Sequence, residues 1–586
     1  MLRKLKIFIA AFILGAHCLA SPSAVYAAEG PIVNLGTIHD YIQTVHSISL
    51  PMSAANPKAA ANMRYLLCSV DMANEMLNGC ATTNYCRHDQ AAVSAATAKN
   101  AVDNLIASSS CSKFFVTLTG VSAGNQFSFN ISAFGKFTID WGDGQISTIT
   151  RPNTISSVGT YSHTYSTAGN YTVGIGGLAT EYPPTYDATI SFDCSSNTFR
   201  KTKMTRIAGS LGAIFPTLSS GANRQPDFHA TFSSCSGLTS DPSDPNGYAI
   251  PEDLFLGVSG PPKVNMFSKT FYSCSDLVGK IPPGLFRGIS DAPATAMFES
   301  TFMYCSNLTG SIPSGLFGNL SGAPADMMFT NTFAGCTGLT GSIPSGLFGN
   351  IHGSPALWMF AGTFAGCTGL TGSIPSGLFG NLSGAPANLM FTNTFANCTG
   401  LTGSIPSGLF GNLSGAPADK MFNSTFDGCS GLIGNIPLNL FGNISGAPAD
   451  MMFNSTFRNC SSLTGSIPSG LFGNLSGAPL VGMFAATFEN TGLTDISGGT
   501  NGLFTANFST QPPGNSFIGM FHIQNYYTNT NRNSLSSRYC ADPTPPSAGN
   551  PCTLLKPLYE ISTNASTAFR FNLDLSDYAN IPMNWK

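Results

Sequence analysis

The groups in this chain with the clearest capacity for chemistry are sulfurs and hydroxyls set at a fixed interval. Cys274, Cys305, Cys336, Cys367, Cys398, Cys429 and Cys460 follow one another at 31-residue steps. Metal sites need ligands clustered as in C-x2-C, and here each interval offers one sulfur. That favours packed free thiols, with inter-coil disulfides and a metal ligand as the alternatives. The hydroxyls form a double row: Thr309, Thr340, Thr371, Thr402 and Thr464 beside Ser311, Ser342, Ser373, Ser404 and Ser466. Ile433 and Asn435 interrupt it. Such a row is a solvated sheet face or a flat surface for a partner protein or glycan; its even spacing alone raises an ice-binding array. The histidines beyond residue 27 (His39, His46, His88, His163, His229, His352, His522) are scattered. No H-E-x-x-H or P-loop is present, so neither catalysis nor a cofactor is expected.

These groups must be positioned by the repeat that carries them. Gly-Ser-Ile-Pro-Ser-Gly-Leu-Phe-Gly-Asn starts unchanged at Gly310, Gly341, Gly372, Gly403 and Gly465. A fixed period of this size is the signature of a solenoid, whose coils stack because one coil cannot bury its own apolar face. In the coil from Asp326 to Pro355, Asp326 is placed to cap a short helix starting at Met327. Phe329, Phe333 and Cys336 then share one face. Leu339, Gly341 and Ile343 alternate with Thr340 and Ser342 as in a short strand, which Pro344 ends. Leu347 and Phe348 point inward at the next corner, and Gly349-Asn350 and Ser354-Pro355 lead out through loop. Residues 196–525 accommodate about nine such coils, the first of them degenerate.

Composition bounds the rest. Only 9% of the 586 residues are charged, well below the usual quarter or so. Between Met297 and Phe484 the only charges are Glu299, Asp326, Asp419, Lys420, Asp427, Asp450 and Arg458. Such a surface cannot neutralise a phosphate backbone, which argues against nucleic acid. Residues 1–27 read as a signal peptide, with Arg3, Lys4 and Lys6 before the apolar Ile7 to Ala16 and a small-residue cleavage site at Val25-Tyr26-Ala27. No later stretch is apolar over the roughly 18 residues a bilayer span needs. A secreted or cell-surface protein is therefore expected, in a compartment that permits disulfides.

Residues 28–110 read as a helical N-terminal region, where Cys80 and Cys86 could close a turn between two helices. Residues 526–586 form a C-terminal module in which Cys540 and Cys552 could pair. Residues 111–195 switch to strand pattern: Phe127, Phe129 and Ile131 alternate with polar residues, as do Phe137, Ile139 and Trp141, and Tyr171, Val173 and Ile175. A small β-sandwich follows from that pattern.

Two resemblances add to this. Phe137-Thr138-Ile139-Asp140-Trp141-Gly142-Asp143-Gly144, with His163-Thr164-Tyr165 and Ala168-Gly169-Asn170-Tyr171-Thr172-Val173, resembles the PKD family of immunoglobulin-like sandwiches. The resemblance implies an extracellular spacer or interaction module, with Trp141 in the core, Asp143 in a turn and His163 as a structural hydrogen-bonding residue. Cys111 and Cys194 bracket that module and could join its ends. Met328-Phe329, Thr332-Phe333, Cys336 and Leu339 resemble the BspA-like leucine-rich-repeat surface proteins of bacteria, although 31 residues exceeds the usual repeat length of 20–29. Together they imply a non-catalytic adhesion or interaction protein. Its partner would be a protein of a host or neighbouring cell surface, or a matrix component. The alternative is a glycan-binding accessory protein of polysaccharide breakdown.

Overall fold

The computed structural model describes residues 112–496, apart from 155–156, 186, 222, 243, 442, 469, 478–479 and 494, together with Asn507–Phe508. The expected helical region at 28–110, the module at 526–586, and Cys80, Cys86, Cys111, Cys540 and Cys552 lie outside the described residues.

The described chain begins as a β-sandwich. Its strands are β1 (Ser112–Val121), β2 (Gln126–Ile131), β3 (Phe134–Asp140), β4 (Ile146–Arg151), β5 (Gly159–Thr164), β6 (Gly169–Glu181), β7 (Ile190–Ser191) and β8 (Met204–Gly209). One antiparallel sheet runs β4-β3-β6-β1-β8 and the other β5-β2-β7. The alternation read from sequence is what places Phe127, Phe129 and Ile131 of β2 inside, all buried. Phe129 meets Trp141 across the sandwich, ring centroids 6.1 Å apart. One short helix, α1 (Thr198–Lys203), is capped by Asn197, whose side chain accepts from Arg200 N.

A parallel β-solenoid follows. Its main sheet comprises β9 (Ser290–Asp291), β10 (Asn319–Gly322), β11 (Asn350–Gly353), β12 (Asn381–Gly384), β13 (Asn412–Gly415), β14 (Asn443–Gly446), β16 (Asn474–Gly477) and β18 (Asn507–Phe508). A small second sheet pairs β15 (Ser466–Ile467) with β17 (Asp495–Ile496). The regular part has about six turns, not the nine expected, because the turns before Ser290 carry insertions and make only isolated bridges, such as Tyr248 with Lys280.

Two local assignments differ from the sequence reading. The main strand is Asn-x-x-Gly, the stretch read as loop. The Leu-Thr-Gly-Ser-Ile stretch makes mostly isolated bridges, such as Gly341 with Leu370. Gly341 takes a φ of +76°, which breaks strand geometry there, and Pro344 has no N–H to continue a ladder.

The expected helix at Met327 is also absent. The segment is a run of tight turns with positive φ at Met327 (56°), Asn331 (53°) and Gly335 (73°). Alternate amides bond within the turn and across to the next coil: Thr330 N donates to Met327 O (3.1 Å), whereas Phe329 N donates to Met359 O (3.0 Å). A helix would turn every amide beyond its first turn back on itself and could not alternate bonds with the neighbouring coil in this way. Asp326 caps no helix; its Oδ1 accepts from Leu357 N of the next coil at 2.9 Å. A four-residue turn period keeps Phe329 and Phe333 on one face just as a 3.6-residue helix would.

The core is a set of ladders. Phe329, Phe333, Cys336, Leu339, Ile343, Leu347 and Phe348 are all buried, as their sequence pattern requires. Rings of equivalent phenylalanines stack between coils, Phe329 on Phe360 at 5.7 Å and 4°. Full burial of each such side chain contributes roughly 1.5–3 kcal/mol. A buried threonine ladder accompanies them. Thr394 Oγ1 lies 2.8 Å from Phe391 O in its own coil and 3.0 Å from Phe360 O in the preceding one. Thr394→Val keeps the shape and removes the donor. It is expected to lower stability by about 1–3 kcal/mol in chemical unfolding; a stabilised variant would show the hydroxyl to be dispensable.

Sandwich and solenoid share one core. Phe192 stacks on Phe232 of the first coil at 5.6 Å and 2°, and Phe114 reaches the same ring at 6.1 Å. Phe192 N and Cys194 N donate to Thr231 O and Ser233 O at 2.7 and 2.8 Å, as one coil does to the next. The sandwich thereby covers the first coil's apolar end. Cys194, expected opposite Cys111, is bonded to Cys235 with Cα atoms 4.9 Å apart. The chain beyond β7 runs alongside the first coil, and that brings the two sulfurs together. Cys235, which stands 39 residues before Cys274, is therefore not among the free thiols.

Candidate functional site

The repeated sulfurs point inward. Cys274, Cys305, Cys336, Cys367, Cys398, Cys429 and Cys460 are free and buried. Each donates to the carbonyl of a phenylalanine in the preceding coil, as Cys336 Sγ does to Phe302 O at 3.0 Å and Cys429 Sγ to Phe395 O at 2.9 Å. Burial pushes every one of these thiols up, Cys305 and Cys367 to about 12. They hold protons at neutral pH and behave as small apolar groups with one weak donor. Among the described residues, no three His, Cys, Asp or Glu side chains converge as metal ligands.

The outer surface carries polar rows. Thr309, Thr340, Thr371, Thr402 and Thr464 are all exposed, as are Ser311, Ser342, Ser373 and Ser404, while Ser466 is half-buried. One backbone bond per coil sets their register: Thr340 N to Gly310 O (2.9 Å), Thr371 N to Gly341 O (2.9 Å) and Thr402 N to Gly372 O (3.0 Å). Buried residues flank each pair, Leu339 before Thr340 and Ile343 after Ser342. Both hydroxyls are therefore held outward by the burial of their neighbours. Ile433, 52% exposed, interrupts the row in one coil, with Leu438 (59%) beyond it.

A second row was not legible as a site in the sequence. In the main sheet Asn319, Asn350, Asn381, Asn412, Asn443 and Asn474 are exposed, as are His352, Ser383, Ser414, Ser445 and Ser476 two positions on. The intervening Leu or Ile is buried. Each strand has one inward residue, too few for an alternation to be recognised. The usable signal was the asparagine and serine flanking a lone apolar residue at every 31-residue step. His352 lies on strand β11 rather than in a loop, its Nδ1 3.0 Å from Asn350 O.

Charges along the coils are sparse, and two pairs of them meet, Lys269 with Glu299 and Arg458 with Asp427. Arg458 Nε donates to Asp427 Oδ1 at 3.0 Å across one coil spacing, with Asn459 Nδ2 on the same oxygen at 3.3 Å. Two histidines pair with carboxylates. His163 Nε2 meets Asp143 Oδ2 at 2.7 Å, its ring stacked on Trp141 at 5.1 Å. Burial raises the Asp143 pKa, but the His163 hydrogen bond and the Gln145 amide outweigh it and hold the carboxyl below its ordinary range. His229 Nδ1 meets Asp227 Oδ1 at 2.8 Å. Among the described residues neither ring is bonded to a hydroxyl or thiol that it could activate.

No family model matches the chain, and no curated protein or solved structure matches it either. The rows, the buried thiols and the capped solenoid are therefore read on their own geometry. Among the described residues no helix is long and apolar enough to cross a membrane.

Proposed function

We propose that this is an exported, non-catalytic interaction protein. In this reading the hydroxyl and asparagine rows of the solenoid meet a protein of a neighbouring surface or matrix. The observation that carries it is the repetition of exposed Thr, Ser and Asn at equivalent positions of successive coils, on a surface almost without charge. The resemblance of the repeat to BspA-like proteins, and of the sandwich to the PKD family, supports the same reading. Many weak, equivalent contacts would make binding depend on the number of coils engaged.

Deleting residues 337–398 removes two complete repeats and rejoins the chain in register. We expect at least an about tenfold loss of binding to immobilised matrix proteins or whole cells, with the remaining coils still folded. Undiminished binding by the shortened chain would exclude the rows as the recognition surface. A glycan-binding role is the second reading, favoured by two exposed aromatics, Trp358 (36%) and Tyr304 (49%). Silence on a glycan array would remove it.

A further inference from the structure

The irregular first turns of the solenoid hold a cavity of about 360 Å³ open to solvent, lined by Thr217, Asn223, Arg224, Gln225, Ser259 and Lys263 among others. Its floor is polar and tied together. Ser259 N donates to Thr217 Oγ1 at 2.8 Å, and Gln225 Nε2 donates to Ser259 O at 2.9 Å. Arg224 Nε donates to Leu218 O at 2.6 Å, which fixes the guanidinium at the rim. The two Nη groups of Arg224 make no hydrogen bond among the described residues. Lys263 is already balanced, its Nζ 3.2 Å from Oδ2 of Asp227, a side chain only 2% exposed. Among the described residues, Arg224 is therefore the uncompensated cation facing the cavity, and no carboxylate lines it.

The geometry points to a binding site for a carboxylate-bearing sugar residue, a uronate- or sialate-type pyranose, with its carboxylate on Arg224 and its hydroxyls toward Asn223, Thr217 and Gln225. A guanidinium matches a carboxylate through two parallel hydrogen bonds. A phosphate dianion would leave one charge unmet, because Asp227 already offsets Lys263. A neutral sugar would rely on hydrogen bonds that water supplies equally well, and among the described residues no aromatic side chain lines the cavity as a stacking platform. The volume falls within the range of small-molecule sites. This site lies apart from the outer rows, and its failure would leave the proposal for the repeats untouched.

The test is saturation-transfer NMR on the full chain with sodium glucuronate, N-acetylneuraminate and methyl glucoside, and with inorganic phosphate added as a competitor of the acidic sugars. The two acidic sugars should bind saturably. Arg224→Gln should weaken them at least about tenfold, and Asn223→Asp, which sets a competing carboxylate in the lining, should do likewise. Both residues are at the surface, and unchanged thermal unfolding of either variant separates lost binding from lost fold. Equal binding of methyl glucoside, tighter binding of phosphate, or full affinity in Arg224→Gln would each overturn the assignment.

Discussion

Replacing Phe391 with alanine should lower the free energy of unfolding by about 3–5 kcal/mol. Phe391 is fully buried. Its ring lies 5.7 Å from Phe360 in the preceding coil and 5.7 Å from Phe422 in the next. Phe379 and Phe410 pack against it at 4.8 and 4.6 Å. The loss should sit at the upper end of the range for such truncations because the site cannot collapse. Phe391 N is bonded to Met421 O at 3.0 Å, and Phe391 O receives the Thr394 hydroxyl, so the backbone is pinned on both sides. Phe391→Leu, which refills most of the site, should lose less. Urea unfolding of both variants checks this. A loss below about 1 kcal/mol at Phe391 would mean that the ring ladder contributes little.

The seven repeat thiols should resist alkylation in the native protein at pH 8 and all react after denaturation. Burial places each thiolate far above its ordinary range, and the reagent needs the thiolate. The same burial fixes how stability depends on pH. A thiol of ordinary value 9.0 that rises to about 12 in the fold, as at Cys305 and Cys367, keeps its proton in the native state. The unfolded chain releases that proton. Below about pH 9 both states are protonated and the full stability is present. Between about pH 9 and 12 the unfolded state binds fewer protons, so stability falls by roughly 1.4 kcal/mol per pH unit for each thiol. Seven thiols acting together should give a steep alkaline unfolding transition, and Cys398→Ala should make it shallower by one proton. Rapid labelling of the folded protein, or a transition unchanged by Cys398→Ala, would contradict the buried ladder.

What could be read in advance follows the difference between side-chain periodicity and backbone bonding. The inward set was legible because identical residues at a fixed step must stack on one another, and apolar groups then face inward. The outward Thr and Ser were legible for the same reason, being the polar positions between Leu339 and Ile343. In sequence the turn run at Met327 looks like a helix, because four-residue and 3.6-residue periods coincide over eight residues. Its composition of Thr, Asn, Gly and Phe already disfavours helix. The Asn-x-x-Gly strand is not legible in sequence, because its single buried residue has no partner with which to alternate.

By itself, then, the sequence determined a stacked solenoid with phenylalanine, leucine and sulfur inside, hydroxyls outside and a β-sandwich ahead of it. These follow from period and polarity, which act residue by residue. Tertiary structure alone decided where the amides of each coil find their acceptors, and so which stretch becomes the sheet. It also decided that the sandwich closes the first coil, and that Cys194 meets Cys235. Those outcomes depend on distances between segments far apart in the chain, which no local pattern encodes.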